Sequence, residues 1–188
     1  MLSTEYSKIV YIRSCRTAFG RDGYPALSCQ PDLTLEANRF GPGKAWEEWI
    51  MEFISSEESS VLVAVRSRWK GTYLSAKDDG RVLADAESIG ENESWILEKQ
   101  QHPDYNDNEL CFSLKSARFH RYLVCDDLWD CGKTVRADRH EAHEWEKWMI
   151  IPEDAHALTY PGFIYIKPIS SLLKACLLNL PYLLLVHF

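Results

Sequence analysis

Three pairs of cations recur in one setting. Arg16 and Arg21, Arg68 and Lys70, and Arg118 and Arg121 each lie in the turn that follows an apolar-x-apolar-basic-Ser segment. Cations gathered at one end of a protein create a local field that can meet an acidic surface whatever the net charge. Solvated turns are also commonly charged, so a plain solvent-facing role stands beside the binding one. Trp69 and Trp129 fall in turns as well. An exposed tryptophan stacks on a sugar ring or anchors a protein contact, since it offers a large apolar area at low entropic cost. Packing over the local hairpin is the alternative. Acidic residues mark a second set of turns: Asp32, Asp78 with Asp79, and Asp126, Asp127 and Asp130. Their spacing matches no dedicated calcium loop, and hairpin turn chemistry accounts for them. His140 and His143, with Cys131 nearby, make a thin case for zinc, because His-x-x-His without paired cysteines lacks a full ligand set. No metal or other cofactor is expected. The sequence has no Ser-His-Asp order, no glycine-rich phosphate loop and no H-E-x-x-H helix, so no catalytic residues are expected.

Turns of this kind need strands on both sides, and the stretch 61–98 supplies them. Val61, Val63 and Val65 alternate with Leu62 and Ala64, the period-two signature of a strand with a buried face. Gly71 reverses the chain, and Tyr73-Leu74-Ser75-Ala76 resumes the alternation. Asp79-Gly80 suits the positive backbone angles of a tight hairpin turn, and Val82-Leu83-Ala84 follows it. A longer polar connection leads to a fourth strand from Trp95, with Trp95 and Leu97 on one face.

The chain carries this unit three times, and self-similarity of this sort decides an architecture. First strands align at Val10–Ser14, Val63–Ser67 and Phe112–Ser116, second strands at Ala26–Cys29, Tyr73–Ala76 and Tyr122–Cys125. Third strands align at Leu35–Asn38, Val82–Asp85 and Val135–Asp138, and fourth strands start at Trp49, Trp95 and Trp148. Twelve strands in three similar units hide their edges economically by closing about a pseudo-threefold axis. An all-β fold, a β-trefoil, is therefore expected. Its inward positions should be Ile12, Val65 and Leu114; Leu27, Leu74 and Leu123; Leu35, Val82 and Val135; and Trp49, Trp95 and Trp148. Ala37, Ala84 and Ala137 suit a crowded interior, and Cys29 and Cys125 stand where the middle unit has Ala76, as small buried hydrophobes.

Arg66-Ser67 with Gly71-x-Tyr73-Leu74-Ser75-Ala76, then Gly80-x-Val82-x-Ala84-Asp85, and the closing Trp145-Glu146-Lys147-Trp148 resemble the fascin-like actin-crosslinking β-trefoils. The resemblance covers about residues 8–152. It departs from the pattern at 17–25, which reads as an insertion, at His120 in the place of Gly71, and at Asn92 where the other units have Trp46 and Trp145. It implies non-catalytic binding to actin filaments, or their crosslinking, in the cytoplasm with cytoskeletal association. A protein-interaction or membrane-tethered adaptor is the alternative, and a carbohydrate-binding module the third choice. Ricin-type sugar-binding trefoils repeat Gln-x-Trp, which this sequence lacks.

Composition bounds the rest. The 188 residues, 46% hydrophobic and 12% aromatic, suffice for one substantial core. A net charge of -7 argues against nonspecific nucleic-acid binding, which needs clustered positive charge. The start, MLSTEYSKIVYI, has neither the basic opening nor the apolar run of a signal peptide, and six cysteines without C-x-x-C suggest reduced thiols in the cytosol. Residues 55–60 (SSEESS) and 100–108 (QQHPDYNDN) read as linkers between units. Beyond the domain at 8–152 comes a tail, 153–188, apolar from residue 169. Its length approaches that of a bilayer span, although Lys174, Asn179 and Pro181 interrupt it. Docking on the trefoil or a partner, self-association, membrane contact through 169–188 and a segment that does not fold are the readings open for it.

Overall fold

A computed structural model of the protein describes residues 7–15, 25–39, 44–57, 60–101, 111–126 and 134–153. Arg16, Arg21, Trp129, Asp127, Asp130, Cys131 and the tail from residue 154 lie outside the described residues. The first unit comprises β1 (Ser7–Ser14), β2 (Ala26–Cys29), β3 (Leu35–Arg39) and β4 (Trp49–Glu57). The second comprises β5 (Ser60–Ser67), β6 (Tyr73–Ala76), β7 (Val82–Ala86) and β8 (Trp95–Gln100), with a 3-10 turn at Glu91–Glu93 before β8. The third comprises β9 (Cys111–Ser116), β10 (Tyr122–Asp126), β11 (Thr134–Arg139) and β12 (Trp148–Pro152).

First and fourth strands of every unit form a closed antiparallel ring, β12–β1–β4–β5–β8–β9 and back to β12. Closure leaves none of these six strands with an unpaired edge. Second and third strands pair as the hairpins β2–β3, β6–β7 and β10–β11, each with a register shift near its start. One pair per unit ties hairpin to barrel: Arg13 with Ala26, Arg66 with Tyr73, and Lys115 with Tyr122.

The core follows from this repetition. All twelve positions expected to face inward are buried in one cluster, joined by Ala37, Ala84, Ala137, Cys29 and Cys125. The three tryptophans are fully enclosed, and each satisfies its indole N–H in the same way. Trp49 donates to the Leu27 carbonyl, Trp95 to that of Leu74 and Trp148 to that of Leu123, all at 3.0 Å. Burying an indole without such a partner would leave a costly unpaired donor. Hairpins interlock near the axis, where the Ala84 amide donates to the Leu33 carbonyl and the Ala137 amide to that of Gly80. Both acceptors sit at positive φ, 70° for Leu33 and 82° for Gly80. The turn demands this conformation in both units, and only at Gly80 does it come without side-chain strain. A Cβ on Gly80 would also lie 3.0 Å from the Cβ of Asp138.

The polar stretch 55–60 is not a loose linker. Ser55 pairs with Leu62, Ser56 with Val61 and Glu57 with Ser60, so β4 and β5 run on as one hairpin. Ser55 and Ser56 are exposed. Their polarity therefore reports solvent contact rather than loss of pairing. The acidic turns behave as hairpin chemistry requires. Asp32 accepts from the Thr34 hydroxyl at 2.6 Å and its amide at 3.1 Å, and Asp79 from the Arg81 amide at 3.0 Å, bonds that hold both carboxyls below the usual range. Among the described residues no helix is long and apolar enough to cross a membrane.

Candidate functional site

Two of the three cation-bearing turns are described, and their backbones coincide. Ser67 Oγ accepts from the Lys70 amide and Ser116 Oγ from the Phe119 amide, both at 3.2 Å. The Gly71 amide then returns to the Ser67 carbonyl at 2.8 Å, and the His120 amide to that of Ser116 at 2.9 Å. Gly71 has φ 75° and His120 φ 55°, so the histidine that departs from the repeat still adopts the glycine conformation.

Side chains reach similar ends from different positions. Lys70 Nζ contacts the Pro31 carbonyl at 3.3 Å, and Arg121 donates to the Asp78 carbonyl at 2.8 Å. Pro31 and Asp78 are equivalent residues in the hairpin turns of the preceding units. Each cation also packs on a ring of its own turn: Lys70 lies 4.0 Å from the centre of Trp69, and Arg118 and Arg121 lie 5.6 and 5.8 Å from that of Phe119. Arg68 pairs with Glu48 at 2.8 Å and Glu153 at 3.3 Å, and Arg118 with Glu91 at 2.6 Å. Both guanidinium side chains remain nearly half exposed, 44% and 49%. Trp69 is not a free aromatic platform. It is half-buried, stacks on Trp46 at 5.2 Å and packs against the core.

Between units, Glu52 of β4 bonds Arg66 Nε at 2.8 Å and receives the Tyr73 hydroxyl at 3.0 Å. Glu98 of β8 repeats this with Lys115, 3.9 Å away, and the Tyr122 hydroxyl, which donates to it at 2.8 Å. Burial, then the bond to Glu98 and its charge, push Tyr122 up to about 12. Tyr11 is likewise pushed up to about 12 by burial, then by the charge of Glu48 and the bond to it. An unfolded tyrosine ionises near pH 10. Between pH 10 and 12 the unfolded chain has thus released protons that the native chain retains, and stability falls as pH rises. The stabilisation is complete below pH 10. Denaturant titrations at pH 9, 10.5 and 12 should show stability falling by up to about 1.4 kcal/mol per pH unit for each tyrosine. The Tyr122→Phe variant should show a shallower slope, and an equal slope in that variant would remove Tyr122 from the account.

Sequence reasoning passed over a third repeated feature. Glu47, Glu93 and Glu146 are buried at 2%, 8% and 2% exposure, each two residues before the core tryptophan. Each turns its carboxylate back on the amide three residues earlier, that of Lys44, Gly90 or His143. The signal was present as Glu-x-Trp in all three units. Next to Glu146 the surface forms an open concavity of about 440 Å³ lined by Arg139, His140, Glu141, His143, Trp145 and Glu146. His143 lies 3.5 Å from Glu141. The described residues contain no group of three or more side chains placed to hold a metal ion.

Neither a family model nor a curated protein sequence matches this chain. Solved structures do. The designed threefold-symmetric protein ThreeFoil matches with TM-score 0.53 at 16% identity, over 76% of this chain and 97% of its own. The chain is a β-trefoil. A Polyporus squamosus lectin, bound to a human-type influenza-binding epitope, matches this trefoil with TM-score 0.56 at 16% identity, over 79% of this chain and 50% of the lectin. The trefoil thus spans about half that lectin's length. A Caenorhabditis elegans protein of unknown function matches with TM-score 0.57 at 12% identity, over 78% of this chain and 94% of its own. Likeness at such identities establishes a shared fold and no shared ligand.

Proposed function

We propose that this trefoil is a non-catalytic binding module of the fascin-like kind, and that it docks on actin filaments through its first-strand turns. One observation carries the reading. The two described turns share a backbone, and each holds one cation, Lys70 or Arg121, against its own aromatic ring and a carbonyl of the preceding unit. Cations held in place lose little side-chain entropy on binding. Their present carboxylate partners are weak competitors, because exposed ion pairs contribute about 0–1 kcal/mol. Acidic groups on a filament could therefore displace the exposed Glu91 and Glu153 at small cost. Arg16 and Arg21 would complete the set from the first unit. Crosslinking needs a second contact, for which self-association through 169–188 is the candidate, and the protein would act in the cytoplasm.

Co-sedimentation of the full chain with actin filaments tests this, at low and physiological salt and at high and low speed. The expected result is high-speed pelleting that weakens with salt. Changing Arg68, Lys70, Arg118 and Arg121 to Glu should weaken it at least about tenfold. Added low-speed pelleting would mean crosslinking. A protein that stays in the supernatant, or a variant that pellets as well as the parent, would sink the reading.

The concavity beside Trp145 favours a second reading, sugar binding. The lining combines the apolar area of a half-buried indole with donors and acceptors from Arg139, His140 and Glu141, the mixture that sugar sites use. A glycan array probed with the full chain and with Trp145→Ala separates the two readings, since the alanine variant should lose sugar binding and keep filament binding.

A further inference from the structure

Cys15 and Cys111 lie 96 residues apart in sequence, yet their Sγ atoms are 2.8 Å apart and both residues are fully buried. They belong to a small cluster of their own with Met149, separate from the main core and flanked by Ile151. The barrel seam brings them together. Cys15 follows the last residue of β1, and its amide donates to the Lys147 carbonyl just before β12. Cys111 opens β9 and pairs with Met149 of β12. The two thiols thus flank β12 from its two neighbours, where the third unit closes onto the first.

We propose that Cys15 and Cys111 are an oxidation site that closes to an intramolecular disulfide and staples the first unit to the third. A disulfide requires the sulfurs at about 2.05 Å, a short approach from their present separation. Peroxide is the matching oxidant, because a small molecule can reach thiols at strand ends, which open at lower cost than strand centres. One thiolate attacks hydrogen peroxide, forming a sulfenic acid and releasing hydroxide, and the second thiol then attacks that sulfur and expels water. In sum, two thiols and one peroxide give one disulfide and two waters. Cys29 and Cys125 differ in kind. They pack in the main core where the middle unit has Ala76, away from the barrel seam and its thiol pair.

The test treats the folded full chain with hydrogen peroxide, blocks remaining thiols after denaturation, and maps peptides without reduction. The expected product is the parent mass less two hydrogens before blocking, then a cross-linked peptide joining Cys15 to Cys111, and reversal by dithiothreitol. A loop of this length should raise the melting midpoint by about 10 °C. Both thiols recovered blocked, or either found joined to another cysteine or over-oxidised, would overturn the proposal. Cys111→Ser should abolish the rise in melting midpoint, and an equal rise in that variant would overturn it too. The peptide map uses the native sequence and decides the matter even where the serine variant folds poorly.

Discussion

Replacing Trp95 with alanine should destabilise the protein by about 3–5 kcal/mol in equilibrium urea unfolding followed by circular dichroism. The indole is fully enclosed, so its removal leaves a cavity in the core. The Leu74 carbonyl also loses the donor that now sits at 3.0 Å. A domain of this size has roughly 5–15 kcal/mol in hand, so one residue would remove a large share of it. Trp95→Phe keeps most of the volume and should cost less, chiefly the unpaired carbonyl, about 1–3 kcal/mol. Trp69→Ala should cost less than Trp95→Ala, because Trp69 is half-buried and leans on Trp46 outside the sealed interior. Equal losses at the two positions would mean that the repeated tryptophans do not hold the core together as their burial indicates.

The second large effect falls on a carboxylate. Glu146→Ala should cost about 1.5–3 kcal/mol, the range for a hydrogen bond to a charged group whose partner is left unpaired. Glu146 is 2% exposed and accepts from the His143 amide at 2.8 Å, which fixes the tight turn that delivers Trp148 into the core. Glu146→Gln retains an acceptor oxygen without the charge and should recover about half of the loss. Hydrogen exchange at the His143 amide gives a local reading. It should quicken in the alanine variant by more than the fall in global stability explains. If exchange there is unchanged, the carboxylate is buried for some reason other than holding this turn.

Much of this was readable from the chain alone, because the information is local. Period-two alternation places Ile12, Val65 and Leu114 inward, and the structure buries all three. Asp79-Gly80 announces a tight turn, and Gly80 has the positive φ it requires. His120, the departure from Gly71, proves a departure in residue type only, since its backbone takes the same left-handed conformation. Glu47, Glu93 and Glu146 were legible as Glu-x-Trp, but a charged residue next to a turn suggests solvent, and only the fold shows it turned inward. Trp69 shows the limit from the other side. Its place in a turn suggests exposure, and Trp46, brought up from the preceding unit, covers it.

The sequence by itself determined the three units, their strands, their turns and the inward set, since each depends on neighbours within a few residues. Tertiary structure alone decided what meets what across units. It placed Lys70 on the Pro31 carbonyl, Arg121 on that of Asp78, and Cys15 against Cys111. The first two arise where consecutive units pack together and the third where the last strand closes onto the first, and no local pattern encodes them. Barrel closure brings residues dozens of positions apart within hydrogen-bonding reach, and a sequence period can specify the closure without naming the side chains that then touch.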